Sequence, residues 1–324
     1  MRNQRICNLR AIAILMVVLG HSVILYSPSW TLYESDIICT PLAVVHRIID
    51  IIQMPLYFSI SGYLFYYSQG RNTDFVHFTK NKAKRLLVPF LVFSLCWMVP
   101  IKLLINYSGY QNQSIMAIIV KKILWGNDNG HLWFLVALFL IFVVMYFVCR
   151  YLYTHKNDKL NVVVMVVLLI LSYFSHGLRA VPCLRNAALY MFWFFVGFLF
   201  NYYHQHFTAR KKVISVVGVI ASITAIIFYF AIPYSVVKYI AAFLCVATLY
   251  NIVPNRTNQF TRKLDEDSYG IYLFHSPLIY VTCTYLLNAN PLLVLFINFI
   301  VFGGLSMILT ELVRKTKLKF IIGE

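Results

Sequence analysis

The sequence predicts an all-α integral membrane protein, a bundle of about ten transmembrane helices in one polytopic domain over residues 1–324. Three observations predict it. Hydrophobic residues make up 60% of the chain and aromatic residues 17%, with a mean hydropathy of +0.73. Soluble domains run nearer half apolar and could not hide that much apolar surface. The apolar residues gather into runs near the ~20-residue length that spans a bilayer. Finally, Lys and Arg concentrate in alternate connections between those runs, which orients the bundle with both termini cytoplasmic.

The first run, near 8–27, follows the basic flank Arg2–Arg5 and no small-residue cleavage site, so it is expected to remain as a helix entering from the cytoplasm. Runs near 43–68 and 86–108 contain Pro55 and Pro100, which kink a membrane helix but are tolerated among neighbours. The stretch 109–130 is polar around an apolar patch, Ile115 to Ile123, and is expected to place an amphipathic helix on the outer surface. Seven further runs follow, near 131–150, 161–177, 187–204, 213–231, 235–252, 268–288 and 291–313.

With ten spans, 21 of the 28 basic residues fall on the inner side. They lie at Arg2, Arg5 and Arg10, in loops from Arg71 to Arg85, Arg150 to Lys159, Arg210 to Lys212 and Arg256 to Lys263, and in a tail from Arg314 to Lys319. The formal charge of +17 is therefore mainly a topology signal. A nucleic-acid footprint would need a basic soluble face, and no soluble domain is predicted. The seven cysteines show no CxxC and no metal spacing, which suits packing. Cys39 and Cys183, both expected in outer loops, leave a disulfide open.

Chemistry starts from Arg10 and His21 in the first run. Eleven residues advance a helix by about 1100° and roughly 16 Å, so both side chains face one way at different depths. An ionisable group in hydrocarbon is costly and reads as functional by default. Imidazole suits a general base because its ordinary pKa lies near physiological pH; the structural alternative is a hydrogen bond between helices. Asp50 is the one acid deep in the first half of the chain. It lies at a depth similar to His21 and is expected either to orient that ring or to pair with His46 or Arg47 one turn away. The basic cluster Lys80, Lys82, Lys84 and Arg85 either satisfies topology or, with Arg10, clamps a phosphate-bearing ligand at the inner surface. The segment Gln53-Met-Pro-Leu-Tyr-Phe-Ser-Ile-Ser61-Gly62-Tyr63 carries small residues that permit close helix packing. His131 and Trp133 enter the fourth run from outside, and His275 sits two residues before Pro277.

Taken in order, these segments resemble the membrane-bound acyltransferase-3 family. The resemblance rests on Asn8-Leu-Arg10 with Gly20-His21-Ser22, on Met54-Pro55 through Ser61-Gly62-Tyr63, and on Arg85-Leu-Leu-Val-Pro89. It also rests on His131-Leu-Trp133-Phe-Leu and Tyr269-Gly-Ile-Tyr272-Leu-Phe-His275-Ser-Pro277. It implies a ten-helix protein of the bacterial inner membrane that moves an acyl group, usually acetyl, from cytoplasmic acyl-CoA to a hydroxyl of a cell-envelope glycan or its lipid-linked precursor. It implies His21 as catalytic base, with Arg10, Lys82 and Arg85 on the CoA phosphates. Gln53, Ser61, His131, Trp133 and His275 are then expected to meet the substrate, with Gln53, Ser61 or His131 nearest a developing oxyanion. Acetyl-CoA enters as a donor substrate; no permanently bound cofactor, metal or nucleic acid is expected. Three positions depart from the family pattern: Asn8 and Gln53 stand where Asp and His are usual, and Lys82 replaces one of a pair of arginines.

A different class also fits the ionisable residues and kinked helices: a transporter or flippase of lipid-linked sugars. Such proteins more often carry internal repeats, and none stands out here.

Overall fold

The computed structural model describes all residues except 1–2, 29, 31–32, 34, 70–73 and 204–210, and omits the side chains of Lys211 and Lys212. Arg2, Arg71 and Arg210 of the charge count lie outside the described residues, as do the side chains of Lys211 and Lys212.

Ten long helices follow one another, and among the described residues there is no strand. They are α1 (Gln4–Ser22), α2 (Thr40–Gln69), α3 (Phe75–Leu104), α4 (Gly130–His155) and α5 (Asp158–Leu178). After these come α6 (Pro182–Tyr202), α7 (Val213–Ala231), α8 (Ser235–Ile252), α9 (Gln259–Tyr285) and α10 (Pro291–Arg314). All but α9 are long and apolar enough to cross a membrane, nine helices among the described residues where the sequence predicts about ten. The exception has a physical reason. Helix α9 opens on Arg262, Lys263, Asp265, Glu266 and Asp267, and its later turns are rich in Tyr, Ser and His. Arg262 and Glu266 are exposed at the helix start, but Asp265, Asp267, Tyr272 and His275 are buried among neighbouring helices. A helix walled by protein needs no lipid-facing surface.

Local chemistry sets the helix starts. The Asn3 side chain accepts from the amides of Arg5 and Ile6, and Asp74 does the same for Val76 and His77. Asn258 and Thr261 form a reciprocal capping box at α9. The stretch 115–124 is helical, with Ile118 and Ile123 buried and Ile115, Met116 and Val120 exposed, in keeping with the amphipathic segment expected there.

Packing divides the helices into inner and outer sets. In α1 and α2, 61% of the most apolar window is buried against protein, whereas in α7 only 6% is, so α7 presents nearly its whole surface outward. The closest crossing joins α2 to α6. A Cβ at Gly62 would lie 1.7 Å from the Phe194 carbonyl oxygen, and one at Gly197 would lie 1.7 Å from that of Ser59. Only hydrogen fits at either point, as the small residues of this segment lead one to expect. Within α9, Pro277 deprives the Leu273 carbonyl of its helical N–H partner. One residue on, the Phe274 carbonyl accepts from Trp97 Nε1 at 3.1 Å, and Trp97 lies in a widened, π-helical turn of α3 at Ser94–Met98. All seven cysteines are free thiols.

Candidate active site

Three imidazoles meet at the centre of the bundle. His21 from α1 and His275 from α9 lie with ring planes 23° apart, and His21 Nδ1 is 2.8 Å from His275 Nε2. His131, at the start of α4, sits edge-on to both, its centroid 6.4 Å from His21 and 5.6 Å from His275. Elementary chemistry settles the proton positions of the neutral pair. His275 Nδ1 lies 2.8 Å from the Ile271 carbonyl, which can only accept, so Nδ1 carries the proton. His275 Nε2 is then an acceptor, and His21 must donate to it through Nδ1. The lone pair of His21 is left on Nε2, which makes no hydrogen bond among the described residues.

His131 and His275 are buried, while His21 is partly open to a cavity of about 780 Å³ at this end of the bundle. The His131 carbonyl is held by the Tyr272 hydroxyl. Neither ring nitrogen of His131 makes a well-formed hydrogen bond, although the Leu273 carbonyl freed by Pro277 lies near. At least one ring nitrogen is therefore open, and a buried polar atom in that state calls for a partner.

The loop before His131 is braced from beneath. Lys102 is fully buried, its ammonium 2.9 Å from Asp128 and 4.2 and 4.5 Å from the ring centres of Tyr107 and Tyr280. An ammonium enclosed by aromatic faces and a carboxylate is stabilised by both. The pair ties α3 to the loop that carries Asn129 and His131. Burial and the nearby Asp128 carboxylate also raise the Tyr107 phenol well above its ordinary range.

Towards the opposite end lies a second cavity of about 230 Å³, lined by Arg10, Ser61, Lys82, Arg85 and Tyr272 among others. Lys82 sits 3.7 Å above the centre of the Phe142 ring. Arg10 contacts Asp265 at 3.1 Å and Ser268 Oγ at 3.2 Å, so its guanidinium is oriented and partly neutralised from α9. A third, more polar cavity of about 500 Å³ shares Arg10, Arg85 and Tyr269 with the second and adds Lys263, Arg314 and Glu324. The first and second cavities share no lining residue. Between them stands an aromatic septum in which Tyr272 packs 5.1 Å from His131 and 5.6 Å from Phe134, centroid to centroid.

The site residues expected from sequence fall into three groups. His21, His131 and Trp133 line the first cavity, and His275, which does not, bonds the His21 ring. Arg10, Lys82, Arg85 and Ser61 line the second. Gln53 packs against Gly20, with its Oε1 buried and unpartnered. Asp50 is the correction: it does not orient His21, and it pairs with neither His46 nor Arg47. It is half-exposed and bonded to Lys238 of α8 at 2.6 Å. Ile49 and Gln53 form the face of α2 nearest Gly20, and Asp50 is turned about 100° from Ile49. Asn8 acquires a reason as well. Its amide donates to the carbonyls of Pro254 and Arg256 at 2.9 and 2.8 Å, a contact that an Asp, which only accepts, could not make. Sequence reasoning passed over Asp265 and the Lys102–Asp128 pair. The one signal was the scarcity of acids, 11 in the whole chain, which makes each buried one worth pursuing. Among the described residues no three His, Cys, Asp or Glu side chains converge as metal ligands.

The described residues thus form an all-helical protein with nine helices fit to cross a membrane and an imidazole cluster beside one of two separate cavities. The chain belongs to the acyltransferase-3 family: the family model described as an acyltransferase domain matches residues 3–311. No curated protein and no solved structure matches it.

Proposed function

We propose that this membrane acyltransferase takes an acyl group, most simply acetyl, from acyl-CoA and places it on a hydroxyl of a cell-envelope glycan or its lipid-linked precursor. The observation that carries the reading is the proton order of the His21–His275 pair, which turns an unprotonated Nε2 of His21 to the cavity where an acceptor would sit. That nitrogen takes the hydroxyl proton as the oxygen attacks the thioester carbonyl. The C–S bond then breaks, and the proton passes to the departing CoA thiolate, giving ester and free thiol. His131 sits beside the pair and, in the tautomer that turns its N–H to the cavity, is the donor for the developing oxyanion. Arg10, Lys82 and Arg85 hold the donor's phosphates, and the acyl arm reaches His21 as the Tyr272 and Phe134 rings turn aside. In this reading the Arg10 end faces the cytosol of a bacterial inner membrane, with both termini on that side, and the His21 cavity opens outward.

Membrane vesicles supplied with radiolabelled acetyl-CoA test the proposal. Label enters glycan with the native protein, and the rate falls about 10²–10⁴-fold with His21→Ala. Equal incorporation by both proteins would remove His21 as the base. The transporter reading of the sequence loses its footing to the family match and gains no support from the septum.

A further inference from the structure

We infer that the acceptor is anionic, a sugar bearing a carboxylate or a phosphate, and that Arg185 and Lys122 recognise its charge; this rests on the acyl-transfer reading of the same cavity. The cavity at the His21 end is lined by two cations, Lys122 and Arg185, and one acid, Asp128. The Asp128 charge is already met by Lys102 at 2.9 Å. Asp50, which does not line the cavity, is met by Lys238 at 2.6 Å. Among the described residues neither Arg185 nor Lys122 makes an ion pair. Arg185 bonds only the neutral Asn186 amide oxygen, at 3.3 and 3.4 Å, which leaves the guanidinium charge unmatched. Two uncompensated cations at the end that the charge count assigns to the outer surface also run against the topology bias, so they need a reason of their own.

Two buried groups point independently to a ligand. Asn129 is 3% exposed with its Nδ2 unpartnered, and His131 is 6% exposed with an open ring nitrogen; both line this cavity. Buried polar atoms are rarely left so. Trp133 stacks on Tyr190 at 5.3 Å and 28°, giving a flat apolar wall suited to the face of a sugar ring. A neutral glycan would satisfy the amide and the rings but leave both cations without a partner. A carboxylate or phosphate accepts the guanidinium fork in two parallel hydrogen bonds.

Tryptophan fluorescence tests this directly, because Trp30 and Trp133 both line the cavity. Full-length protein in nanodiscs is titrated with trigalacturonate, with the same trisaccharide carboxyl-reduced to its neutral form, and with glucose 1-phosphate. At least one anion binds about tenfold more tightly than the neutral sugar, and which one identifies carboxylate or phosphate as the recognised group. Arg185→Gln abolishes that preference, and Arg185→Lys, which keeps the charge but loses the fork, retains part of it. Matching thermal melts of the variants exclude unfolding as the cause. Equal or tighter binding of the neutral sugar, no binding of either anion, or an unchanged preference in Arg185→Gln overturns the inference. An intact anion preference in the native protein that transfers no label from acetyl-CoA would sink the acyl-transfer reading alone.

Discussion

His275 illustrates how one carbonyl can determine reactivity two residues away in space. The Ile271 carbonyl fixes the His275 proton, and His275 in turn fixes the proton of His21. In the proposed reaction His275 is a positioning residue, acting on the acceptor only through His21. His275→Gln keeps an acceptor oxygen for His21 Nδ1 and is expected to retain more turnover than His275→Phe. Loss of the orienting partner in His275→Phe lowers kcat by about 10- to 100-fold. KM for the acyl donor stays near its native value in both variants, because the cavity proposed for the donor lies on the other side of the septum. A rise in that KM with unchanged kcat would show that His275 touches the donor instead. Lys102 and Asp128 work at the same scale. Asp128→Asn strands a buried ammonium and costs about 3 kcal/mol of stability, the lower end for a buried pair because Asp128 is 18% exposed. Lys102→Met with Asp128→Leu recovers most of that in denaturation experiments, since an apolar pair of similar bulk carries no desolvation penalty.

At the scale of elements, the α2–α6 crossing holds the two cavities in register, because α2 contributes Ser61 to one cavity and α6 contributes Arg185 to the other. Gly197→Ala drives a methyl group into the Ser59 carbonyl oxygen and destabilises the protein by about 1–3 kcal/mol, seen as a lower melting temperature in nanodiscs. The close approach was legible as small residues in a membrane segment, but its partner helix was not, because composition records permission to pack and not direction. The same gap explains Asp50. Depth along a helix follows from counting residues, and equal depth made Asp50 a reasonable partner for His21. Azimuth depends on which neighbour lies where, and α8 claimed that face through Lys238. His275 and His21 are 254 residues apart, and nothing local in either segment announces the other. Helix α9 reads in the sequence as an apolar run near 268–288, but the helix starts at Gln259 in a charged turn, and as a whole it is not apolar enough to count as a span.

For the whole molecule, the outward-facing helices were the easiest to see and the least informative about chemistry. Helix α7 announces itself by hydropathy because it faces outward, while the buried α9 hides polar groups among protein neighbours. The orientation inferred from Lys and Arg is open to direct test. In a background freed of native cysteines, single cysteines replacing Asn127 and Lys315 are expected to react with a membrane-impermeant maleimide from opposite sides, Asn127 from outside. Labelling of both from the same side would overturn the orientation and with it the assignment of donor and acceptor cavities.

The aromatic septum has an electrical consequence. Two water-accessible cavities that met end to end would be a conductive pore, and each protein copy would drain the proton and ion gradients of its membrane. Tyr272 and Phe134 stand between them, and the two cavities have no lining residue in common. In the proposed reaction only a small acyl fragment passes, bonded first to sulfur and then to oxygen, and a closed septum spares the membrane its potential.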